Sequence, residues 1–227
     1  MSLYAFLKNQ ESAIVADTLR YLYVDNIFYT TNDPAELVNI YKESKSIFSQ
    51  VSMNIREYFS NHTDTNSTFS ADDQHPDKNP KILGIKYHST TDTFVMTCQL
   101  RSQHTFTKRD LLSSLHSVYD PLGLAAPFLL HFKLLLRQVM NGAIDWKEQV
   151  PVDIVNNWNT ISTKIGAARI EIPRSIITDE GSNELWIFVD ASILAKTACA
   201  FYTSSMTRTP LIMGKTKLAS KHRALTI

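Results

Sequence analysis

An α+β fold is what this sequence predicts, and three observations predict it. Amphipathic helical patterns fill the middle of the chain, β-branched and aromatic runs lie on either side of them, and a polar, nearly core-free stretch separates residues 1–60 from the rest. With 227 residues and 44% hydrophobic content the chain has enough apolar surface for real cores, in one large domain or two small ones. The 23 basic and 22 acidic residues leave a net charge of +1, so any nucleic-acid role must rest on local sites. Cys98 and Cys199 lie far apart without CxxC spacing, which indicates neither a disulfide framework nor a zinc site. The start lacks the basic and apolar pattern of a signal peptide, and no apolar run reaches membrane-spanning length. The expected setting is intracellular, with no membrane partner, and the sequons at Asn61 and Asn66 are then unused.

Taken in order, Leu3, Phe6, Leu7, Ile14 and Leu19 follow loose helical spacing. Residues 18–31 turn β-branched and aromatic, predicting a hairpin with strands near Leu19–Tyr23 and Ile27–Thr31 and its turn at Val24, Asp25 and Asn26. Asp33, Pro34 and Glu36 form an N-cap, a first-turn proline and a capping-box glutamate. Behind them Leu37, Ile40, Tyr41, Ser44, Ile47, Phe48 and Val51 make one helical stripe. Residues 61–80, rich in Asn, Asp, Thr, Ser and Pro, read as a flexible loop that adds nothing to a core. Strands are expected from Ile82 to Tyr87 and from Phe94 to Leu100. Three helices follow, the first capped at Thr107, the second from Ala125 to Asn141 before Gly142, the third from Pro151 to just before Gly166. Glu184–Asp190, Lys196–Ser204 and Leu211–Leu218 read as three adjacent antiparallel strands with Asp190 on the central one.

Two segments carry candidate chemistry. Tyr23-Val24-Asp25-Asn26 sets a carboxylate at the tip of an apolar hairpin, a rigid support from which it can hold a metal ion. An ordinary hairpin turn uses the same residues. Leu185-Trp186-Ile187-Phe188-Val189-Asp190-Ala191-Ser192 is an apolar strand ending in Asp and small residues, where a buried carboxylate must be paired or hold a metal. Many α/β strands also end this way without catalytic purpose.

The first segment resembles the Tyr-x-Asp-Asp box of reverse transcriptases, with Asn26 in place of the second Asp, and the second resembles the first strand of an RNase H domain. Their order along the chain, joined by Ile82-Leu83-Gly84-Ile85, by Asp120-Pro121-Leu122-Gly123-Leu124 with Pro127, and closed by Leu218-Ala219-Ser220-Lys221-His222-Arg223, resembles the Pol polyprotein of BEL/Pao-type retrotransposons. This region also goes by the name Pao retrotransposon peptidase. The resemblance implies the end of a reverse-transcriptase palm at 1–60, the loop at 61–80, a thumb and connection at 81–178 and the opening strands of an RNase H-like domain at 179–227. It implies a parent RNA-directed DNA polymerase with RNase H activity, dependent on Mg²⁺. The implied partners are an RNA/DNA hybrid or template-primer and the remaining Pol segments.

On that resemblance Asp25 and Asp190 are the catalytic candidates and Asp25, Asn26 and Asp190 the metal ligands. Asn26 offers a carbonyl without charge, a weaker hold on a cation. The palm strand that supplies a further Asp is not found ahead of the hairpin, and no acidic residue follows Asp190, so the chain alone is expected to be catalytically silent. A sheet lacking its covering helix should leave an apolar face exposed or borrow cover from the connection helices. Neither Asp-Thr-Gly nor Asp-Ser-Gly occurs, which argues against aspartic protease chemistry. Tyr23, Lys215, Lys217, Lys221 and Arg223 are the expected nucleic-acid contacts. The last four belong to an acid-free basic run with Lys196 and Arg208, although lysine also guards solvated strand edges. The histidines lack ligand spacing, and Trp146 and Trp158 are expected to pack helices. Two rival readings are a host-retained, non-enzymatic nucleic-acid- or protein-binding module and a decayed fragment without a stable fold, which cooperative melting would exclude.

Overall fold

The computed structural model describes residues 3–9, 13–176, 183–204 and 211–220, within two compact units at residues 1–80 and 81–227. In the first unit α1 (Leu3–Lys8) and α2 (Ala13–Tyr21) lead into a small hairpin, β1 (Leu22–Tyr23) and β2 (Asn26–Ile27), and then α3 (Pro34–Ser49). Leu7, Val15, Ile47 and Phe48 form its apolar core, with Phe6, Leu19, Ile27 and Ile55 packed around them.

That packing corrects the expected hairpin. Leu19–Tyr21 belong to α2 and the paired strands are two residues each, because a helix there buries Val15 and Thr18 while Leu19 packs on the core. Tertiary burial outweighs the β-propensity of the run, and the Thr18 hydroxyl satisfies itself by donating to Ile14 O at 2.7 Å. The N-terminus of α3 follows the sequence closely. Asp33 accepts from Ala35 N at 2.9 Å, Pro34 opens the helix, and Ile40, Ser44, Ile47 and Phe48 are buried. Glu36 does not close a direct capping box. It accepts from the Thr31 hydroxyl, which in turn accepts from Asp33 N at 3.0 Å.

The polar stretch contributes to a packed interior after all. It forms α4 (Thr63–Asn66) and buries Thr65, Phe69 and Asp73. Phe69 lies 4.9 Å from the Tyr41 ring, and Asp73 binds Lys45 (2.8 Å), Tyr41 (2.9 Å) and Ser70 (2.8 Å). The stretch orders itself through side-chain hydrogen bonds instead of an apolar run, as where Asn66 holds both Ser60 N and Ser60 O. Binary patterning is blind to such bonds.

In the second unit β3 (Lys81–Ile82), β4 (Ile85–His88), β5 (Thr93–Cys98) and β6 (Ala168–Pro173) form an antiparallel sheet in that order. The single strand expected at Ile82–Tyr87 is broken by a tight turn at Leu83 and Gly84, both in the left-handed region at φ 49° and 83°. The sequence reading missed β6, which pairs along all of β5, from Thr93↔Pro173 to Cys98↔Ala168. The next residue, Arg174, clamps Asp92 with Nε to Oδ1 at 2.6 Å and Nη2 to Oδ2 at 3.0 Å.

Three helices lie between β5 and β6, at the expected places. α5 (Lys108–His116) has a full capping box from Thr107 and Asp110, α6 (Ala126–Asn141) stops at Gly142, and α7 (Val152–Ile165) stops at Gly166. Leu111, Phe132 and Trp158 are completely buried or nearly so between them, and Trp158 Nε1 donates to Arg101 O at 2.9 Å. Trp146 departs from expectation: it lies in the α6–α7 loop and is half exposed.

The last layer is a three-stranded antiparallel sheet, β7 (Asn183–Ala191), β8 (Ala195–Ser204) and β9 (Leu211–Leu218). The meander is as expected, but Asp190 is not on its central strand. Among the described residues β8 is the strand paired on both sides, and β7 is an edge. β9 joins the helical layer at a backbone seam, where Gly214 N donates to Leu122 O at 2.8 Å. A Cβ on Gly123, whose φ is 71°, would lie 1.7 Å from Gly214 O, so only glycine fits.

Candidate functional site

The loop before α6 explains the seam. Asp120 takes Leu124 N on Oδ1 (2.8 Å) and Ala125 N on Oδ2 (2.9 Å), folding Asp120–Leu124 into a cap that turns Gly123 toward β9. Further along, Arg137 of α6 donates to Ala219 O at 2.9 Å and Ala219 N donates to Leu194 O at 2.9 Å. The sheet thus borrows cover from a connection helix at its β9 side. Among the described residues β7 receives none: Leu185, Trp186, Ile187, Phe188 and Val189 are all more than half exposed.

Asp190 lies near the end of β7, directly opposite Thr197 of β8, and Thr197 lies opposite Thr216 of β9. The two threonine hydroxyls are 3.5 Å apart, so this rung points to one face of the sheet, the face on which Gly214 meets Gly123. The sequence reading did not single out Thr197 or Thr216 as neighbours of Asp190; counting register back from the short β7–β8 link would have found them. Lys217 pairs with Lys196, and Lys215 with Ala198, on the other face. Lys221 and Arg223 lie outside the described residues.

In the first unit Asp25 sits at the hairpin tip, as expected, in the two-residue turn between Tyr23↔Asn26. Asn26 turns its amide toward the carboxylate, Nδ2 donating to Asp25 Oδ1 at 3.0 Å. Val24 is held at φ 57° and is 84% exposed, a conformation unfavourable for a β-branched residue that no burial of Val24 itself compensates. Tyr23 is exposed beside it.

A scan against family models matches residues 107–227, more than half of the chain, to the Pao retrotransposon-like RNaseH-like domain. The chain belongs to this family. It is a retrotransposon Pol sequence of the BEL/Pao type. Searches of curated proteins and of solved structures gave no match. The Pao match starts at the Thr107 cap and so runs across the boundary that the sequence places near residue 178, taking in α5–α7, β6 and the β7–β9 sheet. Asp190 and the Gly123–Gly214 seam fall inside it, and the Asp25 hairpin falls outside.

Pao-type RNase H chemistry would require Mg²⁺, and the residues around Asp190 test that requirement. Mg²⁺ prefers six oxygens, usually with one or two carboxylates, and a two-ion site needs several. The Asp190 rung supplies one carboxylate and two hydroxyls. Among the described residues no group of three or more His, Cys, Asp or Glu could hold a metal ion, so these side chains do not by themselves fit a two-ion centre. No helix among the described residues is long and apolar enough to cross a membrane.

Proposed function

We propose that this chain is the RNase H-like portion of a retrotransposon Pol protein, in which Asp190 supplies one carboxylate of a Mg²⁺-dependent site that cuts the RNA strand of an RNA/DNA hybrid. The observation that carries it is Asp190 at the end of the first strand of an antiparallel meander inside the Pao family match. In the complete site the metal would supply the charge that stabilises the attacking and leaving oxygens. This chain contributes the carboxylate, carried on β7 and linked through β8 to β9, the strand that the seam ties to the helical layer. The Asp25 hairpin is then the remnant of a polymerase site in the parent RNA-directed DNA polymerase, with Asn26 as its weak neighbour. The left-handed Val24 supports that reading, since strain of this kind gathers at functional turns. One carboxylate per site is too little for either reaction, so the isolated chain should be silent in both.

The test is spectroscopic as well as enzymatic. Mn²⁺ should broaden the amide NMR signals of Asp190, Thr197 and Thr216, and Asp190→Asn should remove that broadening. Primer extension and hybrid cleavage should both be undetectable with Mg²⁺. No broadening at Asp190 would remove it as a ligand. Template-dependent extension abolished by Asp25→Ala would overturn the silent assignment.

A further inference from the structure

We infer that the lysine-bearing face of the β7–β9 sheet, the face turned away from Asp190, is a binding surface for the phosphate backbone of a nucleic-acid strand. The inference takes its ligand class from the function proposed above and adds a location that the carboxylate does not share. Side chains alternate across a sheet, so the register divides the charges. Glu184 and Asp190 are the acidic residues of these three strands, and both point to the face that meets the Gly123 seam. Lys196, Lys215 and Lys217 are their lysines, and all three point to the opposite face. The burial of β9 agrees: Met213, Lys215 and Lys217 are exposed, while Gly214 and Thr216 are partly covered.

The lysines are arranged at some energetic cost. Lys196 lies directly across from Lys217, and like charges opposed in this way destabilise a sheet. Among the described residues none of the three takes part in a salt bridge. Protection of a sheet edge would explain lysines on β9, but Lys196 is on β8, which is paired on both sides. An anion lying across the face would relieve the repulsion. Lys215 and Lys217, two residues apart on the same face, are separated by about 6.7 Å, so both can reach one stretch of phosphate backbone. The lysines cluster at one end of this face, beside Val189, Ala191 and Ala198, with Leu185, Ile187 and Met213 toward its other end, and none of these neighbours brings a competing carboxylate.

The test uses the full chain, with fluorescein-labelled RNA/DNA hybrid and single-stranded DNA followed by anisotropy over rising salt in EDTA. Replacing Lys196, Lys215 and Lys217 together by Ala should weaken binding about tenfold or more and flatten the log–log salt slope by about 2 to 3, as expected for three lost phosphate contacts. Replacing all three by Arg should preserve both. An unaltered slope and affinity in the triple Ala variant would overturn the inference, as would tighter binding to phosphatidylserine vesicles than to either nucleic acid. Binding lost in Asp190→Asn but kept in the triple variant would move the strand to the carboxylate face, contradicting this inference and sparing the proposed function. Lysine-dependent binding without Mn²⁺ broadening at Asp190 would do the reverse.

Discussion

The helical layer α5–α7 and the strand β7 belong to the same compact unit and both carry large apolar residues, yet those of one are buried and those of the other open. Each helix keeps its apolar residues on one stripe, and the neighbouring helices supply the other side: Leu111, Phe132 and Trp158 are buried against one another. β7 carries apolar residues at both parities, Leu185, Ile187 and Val189 on one face and Trp186 and Phe188 on the other. A strand of that kind needs a layer on each side. The described residues give the sheet one partial cover, at β9. An amphipathic helix therefore carries its own packing instruction, whereas a doubly apolar strand states a demand that other elements must meet.

The largest expected effect comes from the buried side of this comparison. Trp158→Ala should cost about 3–5 kcal/mol, from lost burial and the cavity it leaves, read from urea unfolding. The corresponding truncation on the open side, Trp186→Ala, should cost less than about 1 kcal/mol. Similar losses at both sites would mean that β7 is covered in solution. Next in size is the joint between the two regions. Gly123→Ala drives a Cβ into Gly214 O at a left-handed φ and should cost about 2–3 kcal/mol, with faster amide exchange in Leu211–Leu218 than in α7. Unchanged exchange in β9 would show that the seam does not hold the sheet.

A smaller effect tests the other sheet. Asp92 is pushed up by partial burial, but the Arg174 and Tyr87 hydrogen bonds and the Arg174 charge outweigh this and hold its carboxyl below the usual range. A lowered folded-state pKa stabilises above the unfolded value near 4 and loses that contribution as pH falls through the folded value. Asp92→Asn should therefore cost about 1 kcal/mol at neutral pH, discounted because the pair is a third exposed, and the gap to wild type should close below about pH 4. A gap independent of pH would assign the loss to packing.

Legibility in the sequence followed the same division. The caps at Asp33, Thr107, Gly142 and Gly166 placed α3 and α5–α7 almost to the residue, because a cap is a local chemical event. Residues 18–21 misled, since their β-propensity yields to a burial that α1 and α3 create together. The 61–80 stretch misled because its order rests on side-chain hydrogen bonds, local at Asn66 with Ser60 and distant at Asp73 with Lys45 and Tyr41, that an apolar pattern does not record. β6 escaped although Ala168–Pro173 alternates, as its partner β5 lies far earlier in the chain, beyond three helices. Of the candidate site, the positions of Asp25 at a hairpin tip and of Asp190 near a strand end were legible. The division of Asp190 and the lysines between opposite faces was not, because it exists only once register is known.

The contrast between a self-sufficient helical layer and an under-covered strand is tested most directly by hydrogen–deuterium exchange on the intact chain. Amides of β7, Asn183–Ala191, should exchange faster than those of α5, α6 and α7 under native conditions, as expected for exposed strand hydrogen bonds with few buried contacts. Equal or slower exchange in β7 would mean that both its faces are covered, and would contradict the picture of an under-covered sheet.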